Sequence, residues 1–137
     1  MGAKVGVLAA VAGLLFSPVP VLAHHSFAAE YDANRPVTLK GTVTKIEWLN
    51  PHARFHVDVR DQNGALTNWN LELASPNALV RRGWTRKSLN VGDEVTVEGS
   101  AARDGSKMAN ARVVTLTNGR QVFAGSSGGD APPPPTR

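Results

Sequence analysis

Val37-Thr38-Leu39-Lys40-Gly41-Thr42-Val43-Thr44-Lys45-Ile46-Glu47-Trp48 decides the fold. Val37, Leu39 and Val43 alternate with Thr38, Lys40, Thr42 and Thr44, the two-residue period of a half-buried strand. The phase then slips, because Ile46 and Trp48 are apolar at even positions. A bulge between Gly41 and Lys45 absorbs such a slip and bends a long strand. Asn50-Pro51 ends it.

The pattern continues on the C-terminal side. Phe55, Val57 and Val59 alternate with Arg54, His56, Asp58 and Arg60, and Asp61-Gln62-Asn63-Gly64 is a tight turn. Thr67, Trp69, Leu71 and Leu73 form the inner face of a third strand, with Asn68, Asn70 and Glu72 outside. Ser75 caps a short helix, Pro76 suits its first position and Gly83 its stop. Val91-Gly92-Asp93 turns into a fourth strand, Glu94 to Gly99, with Val95 and Val97 inside. After the turn at Arg103-Asp104-Gly105-Ser106, Arg112 to Thr117 is a fifth strand. Asn118-Gly119 leads to a short sixth, Arg120 to Phe123. A bent first strand, and a helix between strands three and four, predict an all-β chain with one short helix. The expected architecture is a five- to six-stranded barrel like the oligonucleotide/oligosaccharide-binding (OB) fold, preferred over an open sandwich.

On the N-terminal side the chain changes character. Lys4, the uncharged apolar run Val5 to Phe16, the breakers Ser17, Pro18 and Pro20, and Val21-Leu22-Ala23 read as a signal peptide cleaved after Ala23. The apolar run is too short for a stable anchor. The expected organisation is signal peptide 1–23, leader 24–36, barrel 37–123 and a Gly/Pro-rich tail 124–137. Lys4 is the only charge before His24, so the mature chain carries 14 basic and 11 acidic residues, a net +3. That is mildly basic and does not predict nucleic-acid binding. There is no cysteine, which excludes thiolate metal sites and a cysteine nucleophile. An export signal on such a chain predicts a periplasmic or secreted bacterial protein, read here as a monomer.

Cleavage after Ala23 leaves a chain that starts His24-His25. A free amine beside two imidazoles suits copper(II), which favours nitrogen ligands in a tetragonal plane. The unperturbed amine pKa of ~7.7–8 lets it deprotonate near neutrality. The plainer reading is a leader that binds metal as any His-His peptide does. His52 and His56 complete the histidines. On one extended strand they stand about 13 Å apart, at ~3.3 Å per residue, too far for one metal. A site from His24, His25, His52 and His56 therefore needs the leader to lie across the barrel. Otherwise His52 is a turn residue bonded to a carbonyl, and His56 an outward residue paired with Glu72 or Asp58.

Trp48, Trp69 and Trp84 with Phe55 can form a stacking platform. The parity of Trp69 with Leu71 points instead to the core, and Trp48 and Trp84 equally suit plugs at the barrel ends. Arg81, Arg82, Arg86 and Lys87 can hold an anion or be a solvated helix end. Asp58 and Glu72 can be neighbours on an outer sheet face, but a catalytic pair of carboxylates needs a pocket to shift a pKa. No nucleophile elbow, phosphate loop or His-Glu-x-x-His is present, so a binding protein is expected rather than an enzyme.

His24-His25-Ser26-Phe27, Thr38-Leu39-Lys40-Gly41-Thr42-Val43, Glu47-Trp48-Leu49-Asn50-Pro51-His52, Gly83-Trp84 and Val91-Gly92-Asp93-Glu94-Val95 resemble a family of small exported bacterial proteins, domain-of-unknown-function family 6152. The resemblance implies an exported OB-like barrel and brings no activity or ligand. It marks His24, His25, Ser26, Phe27, Trp48, Asn50, Pro51 and His52 as motif positions. Two functions lead, ahead of a copper enzyme whose centre would resemble a histidine brace on His24 and a second His. One is copper binding through His24 and His25. The other is a metal-free module that binds a periplasmic protein or oligosaccharide with Phe27, Trp48, Asn50, Pro51, Arg81 and Trp84.

Overall fold

The computed structural model describes residues 27–126. The signal peptide, His24, His25 and most of the predicted tail lie outside them. A single turn of helix, α1 (Phe27–Glu30), leads into the long strand β1 (Tyr31–Glu47). Then follow β2 (Arg54–Arg60), β3 (Leu66–Glu72), α2 (Pro76–Arg81), β4 (Glu94–Ala102), β5 (Met108–Thr115) and β6 (Gln121–Phe123). The sheet order is β3-β2-β1-β4-β5-β6, and a parallel β3–β5 pairing closes strands β1 to β5 into a ring. This is the expected OB-like barrel with one short helix between strands three and four, and a four-residue turn before β1.

The bend in β1 is where the phase slip puts it. The β1–β2 register shifts between Val43 and Lys45. Because of that shift, Val43 and Ile46 can both serve one interior. Gly41 lets the two strands approach: a Cβ there would collide with the Asp58 carbonyl of β2, so only glycine fits. Inside the ring, Leu39, Val43, Phe55, Val57, Leu71, Val95, Val97 and Val114 are buried. Leu79, Trp84 and Leu89, from α2 and the loop after it, join the same core. Ser75 Oγ accepts from Ala78 N at 3.3 Å, Pro76 opens α2, and Gly83 takes a φ of 91° just past its end.

Four expectations need correction. β1 begins at Tyr31, so residues 31–36, read as leader, are strand, with Tyr31 opposite Ala102 of β4. β5 begins at Met108 and ends at Thr115, and β4 runs on to Ala102. These extensions hold Ala101, Ala102, Ala109 and Ala111, all buried. Alanine has little strand preference, but it fits where β3, β4 and β5 crowd together. Trp69 is only partly buried, and Lys107 Nζ lies 5.3 Å from its ring centroid. Glu72 points out of the barrel as expected, yet it is only 5% exposed.

Candidate functional site

Glu72 is buried because the N-terminal segment covers the barrel wall at that point. In β2 and β3, Arg54 pairs with Glu72 and His56 with Asn70. Side chains of even number on these strands form one outward row. Across the β3–β5 seam, Glu72 stands beside Asn110. Tyr31, at the start of β1, lies over this row. Its hydroxyl donates to Glu72 Oε2 at 3.0 Å, Arg54 Nη2 donates to the same oxygen at 2.6 Å, and Asn110 Nδ2 donates to Oε1 at 3.4 Å. Asn110 Nδ2 also donates to Ser126 Oγ. One buried carboxylate thus gathers groups from β1, β2, β3 and β5 and ties in the segment after β6.

Burial, reinforced by the Glu72 carboxylate, pushes the pKa of the Tyr31 hydroxyl well up. It therefore stays a donor over the whole physiological range. A buried charge is tolerated only when its lone pairs are met, and three donors meet them here. So occupied, and with almost no exposure, Glu72 offers no face at which a substrate proton could be collected. The node fastens the wall rather than serving as an acid–base pair.

The same fastening seats the start of the described chain. Arg103 N donates to Glu30 O at 2.9 Å, and Arg103 Nε donates to Ala28 O at 2.7 Å. The Phe27 and Tyr31 ring centroids are 5.8 Å apart. Between α1 and the wall is a cavity of about 280 Å³, bordered by Glu30, Tyr31, Arg54, Arg103, Asp104 and Met108. The Asp104 carboxyl is held below its ordinary value by hydrogen bonds from Ser106, side chain first and backbone second.

The sequence-predicted residues fall in several places. His24 and His25 lie outside the described residues. His52 is half-buried, and its Nδ1 is 3.1 Å from Leu73 O. A carbonyl only accepts, so Nδ1 carries the hydrogen and the neutral ring keeps its lone pair on Nε2. His56 takes neither expected acid. Its Nε2 is 3.2 Å from Glu47 Oε2 and its Nδ1 3.1 Å from Asn68 Oδ1. The bulge in β1 brings Lys45 opposite His56, and Glu47 falls within reach. Glu47 is held below its ordinary 4.5 first by the hydrogen bond from Lys45 and then by that from His56. His52 and His56 share no partner. Among the described residues, no three His, Cys, Asp or Glu side chains stand together as a metal-holding group.

Trp84 does not belong to a binding face. It is 2% exposed and its Nε1 donates to Phe123 O at 2.9 Å, so it joins α2 to β6 inside the core. Trp48 is partly buried against the core, whereas Asn50 and Pro51 are exposed, and Arg81 is exposed on α2. Phe27 is half-exposed beside Tyr31. Reading along the chain misses the node itself. Tyr31, Arg54, Glu72 and Asn110 are 18 to 41 residues from their partners. The only trace in the sequence is a run of polar residues on one strand face, which solvated strands also show.

Three comparisons bear on these features. The model of a family of unknown function (DUF6152) matches residues 12–111, a span that includes His24, His25 and the Trp48–His52 run. No curated protein matches the sequence. Among solved structures, the mitochondrial single-stranded DNA binding protein Rim1 of S. cerevisiae is similar at a TM-score of 0.47 and 12% identity. That likeness covers 60% of this chain and 92% of the yeast chain.

Proposed function

The chain belongs to the DUF6152 family of unknown function, and on that premise we propose that it is an exported periplasmic binding protein that holds copper(II) at the N-terminus left by cleavage after Ala23. The observation that carries this reading is the anchorage of residues 27–31. Tyr31 is fastened to Glu72, and Arg103 grips Ala28 and Glu30. His25 is two residues from Phe27 and His24 three, so their Cα atoms lie within roughly 7 and 11 Å of it. A metal on the amine, the amide and a ring nitrogen would therefore ride on the barrel wall.

His52 Nε2 is the lone-pair nitrogen that the barrel offers such a metal. His56 is left out of the proposed site because its two ring nitrogens face Glu47 and Asn68. An all-nitrogen set would suit copper(II), which stands at the top of the divalent affinity order, and would not suit magnesium.

Intact mass of the protein recovered from a bacterial periplasm, taken under native and then denaturing conditions, tests the reading. The expected denatured mass begins at His24, with one copper retained natively and lost in H24A/H25A. A protein that begins at His24 and keeps no copper defeats it, as does any other N-terminus.

The metal-free reading rests on one exposed group. Leu49 is 62% exposed between the partly buried Trp48 and the exposed Asn50-Pro51. A protein or oligosaccharide partner that binds there would be weakened by Leu49→Ser and left untouched by a chelator.

A further inference from the structure

Between Glu72 and Asp93 the chain carries Arg81, Arg82, Arg86 and Lys87 and no acidic residue. The fold turns this stretch into α2 followed by two tight turns at one end of the barrel. In the first, Ser88 N donates to Thr85 O at 3.0 Å, Thr85 N to Ser88 Oγ at 2.8 Å and Lys87 N to Thr85 Oγ1 at 3.1 Å. Arg86 and Lys87 form its tip, and both are exposed. In the second, Asp93 N donates to Asn90 O at 3.1 Å and Asn90 N to Asp93 Oδ2 at 2.8 Å. Val91 and Gly92 form its tip, with Gly92 at a φ of 95°. The Asp93 carboxylate accepts from Asn90 within this turn, and the exposed Glu94 opens β4.

The second turn is bolted to β1, with Gly92 N donating to Val43 O at 2.8 Å and Val43 N to Asp93 O at 2.9 Å. Leu79, Trp84 and Leu89 fill the space beneath, all buried. Val80 and Val91 stay outside, 56% and 65% exposed. Arg82 is set apart from the other cations, because its Nη1 donates to Gly125 O. The stretch therefore offers three exposed cations and two exposed aliphatic side chains, Val80 on α2 and Val91 on a turn hydrogen-bonded to β1.

We propose that this end of the barrel is a peripheral docking surface for an anionic phospholipid membrane. Arg81, Arg86 and Lys87 take the headgroup phosphates, and Val80 and Val91 enter the layer between them. Charge complementarity selects an anionic surface. The aliphatic side chains beside the cations select a lipid interface over an acidic protein, as they do on interfacial basic elements. The association proposed is peripheral and reversible; no described helix is long and apolar enough to cross a membrane. It makes no use of copper.

Sedimentation of the full chain with vesicles tests this, using phosphatidylglycerol mixed with phosphatidylcholine against phosphatidylcholine alone. The wild type binds the anionic vesicles and loses binding as salt rises. R81A/R86A/K87A lowers the partition coefficient roughly 100-fold, at about fivefold for each charge removed. R86E, a single change at an exposed turn tip that leaves the core untouched, lowers it roughly 30-fold on the same scale. V80S/V91S lowers it roughly tenfold without changing the salt dependence. The proposal is overturned if the wild type binds neither vesicle, binds both equally, or is matched by R86E. Retention on poly-glutamate without vesicle binding also overturns it and gives the face to an acidic protein.

Discussion

Two polar rows on the outer face of the barrel use similar residues and differ in what covers them. At one level of β2 and β3, Arg54, Glu72 and Asn110 meet under Tyr31, and the Glu72 side chain keeps 7% of its exposure. Farther along, Lys45, Glu47, His56 and Asn68 meet under less cover, with Lys45 Nζ 2.8 Å from Glu47, the Lys45 side chain 60% exposed and those of Glu47 and His56 27% and 19%. Both rows contain a carboxylate paired with a cation, Arg54 in the first and Lys45 in the second. A tyrosine and one turn of helix make the first a structural fastening. Water screens the second into a weak cross-strand pairing.

The largest test of this contrast removes the cation from the covered row. Arg54→Met leaves Glu72 buried with only Tyr31 and Asn110, and about 3 kcal/mol of stability should go, the low end for a broken buried pair because Arg54 is itself partly exposed. Urea unfolding should show a lower midpoint at unchanged slope. An unchanged midpoint would mean that water already reaches the node.

Tyr31→Phe removes one hydrogen bond to a charged acceptor and keeps the ring, so about 2 kcal/mol is expected. The pH dependence of this contact has a definite sign. Unfolded, Tyr31 ionises near its ordinary 10.0, while in the fold burial and then Glu72 hold its proton to higher pH. The native contact therefore contributes fully below pH 10 and is lost as pH rises beyond it. Wild-type stability should fall in that range more steeply than that of Y31F. Tyr31 is the only tyrosine, so phenolate absorbance reads it alone. A normal tyrosine titration in the folded protein would refute the buried contact.

The open row should give the smallest response. His56→Gln is expected to leave the urea midpoint unmoved within error. The Glu47 carboxyl should titrate below 4.5, its small contribution present above that pH and lost as acid protonates it in the fold. Removing Lys45, the larger cause, should return it most of the way, followed by carboxyl NMR. A midpoint shift in H56Q as large as that of Y31F would erase the distinction between the two rows.

How much of this was legible in the chain differs between fold and site. The bulge, the Asn63-Gly64 turn, the Ser75-Pro76 cap and the alternating valines are local signals, each readable within a dozen residues. The early start of β1 was not legible, because Asp32, Asn34 and Pro36 are poor strand formers, and the stretch is tied to β4 only through Tyr31 and Pro36, with an irregularity between them. The alanine ends of β4 and β5 are silent for the same reason. His56 could be placed outside by parity. Its partner depended on the register shift between Val43 and Lys45, which carries Glu47 to it.

Sequence alone determined the alternation of strand faces, the caps and turns that punctuate them, the absence of thiol chemistry and the placement of four histidines in two pairs. These depend on side-chain type and on neighbours a few bonds away. Tertiary structure alone decided that Glu72 is buried, that Tyr31 and Asn110 serve it, that Trp84 is core and that Arg86 stands on a turn tip. Those outcomes depend on closure of the ring through β3 and β5 and on which outward residues the N-terminal segment covers. A period of two tells which way a side chain points. It cannot tell what the rest of the chain will lay on top.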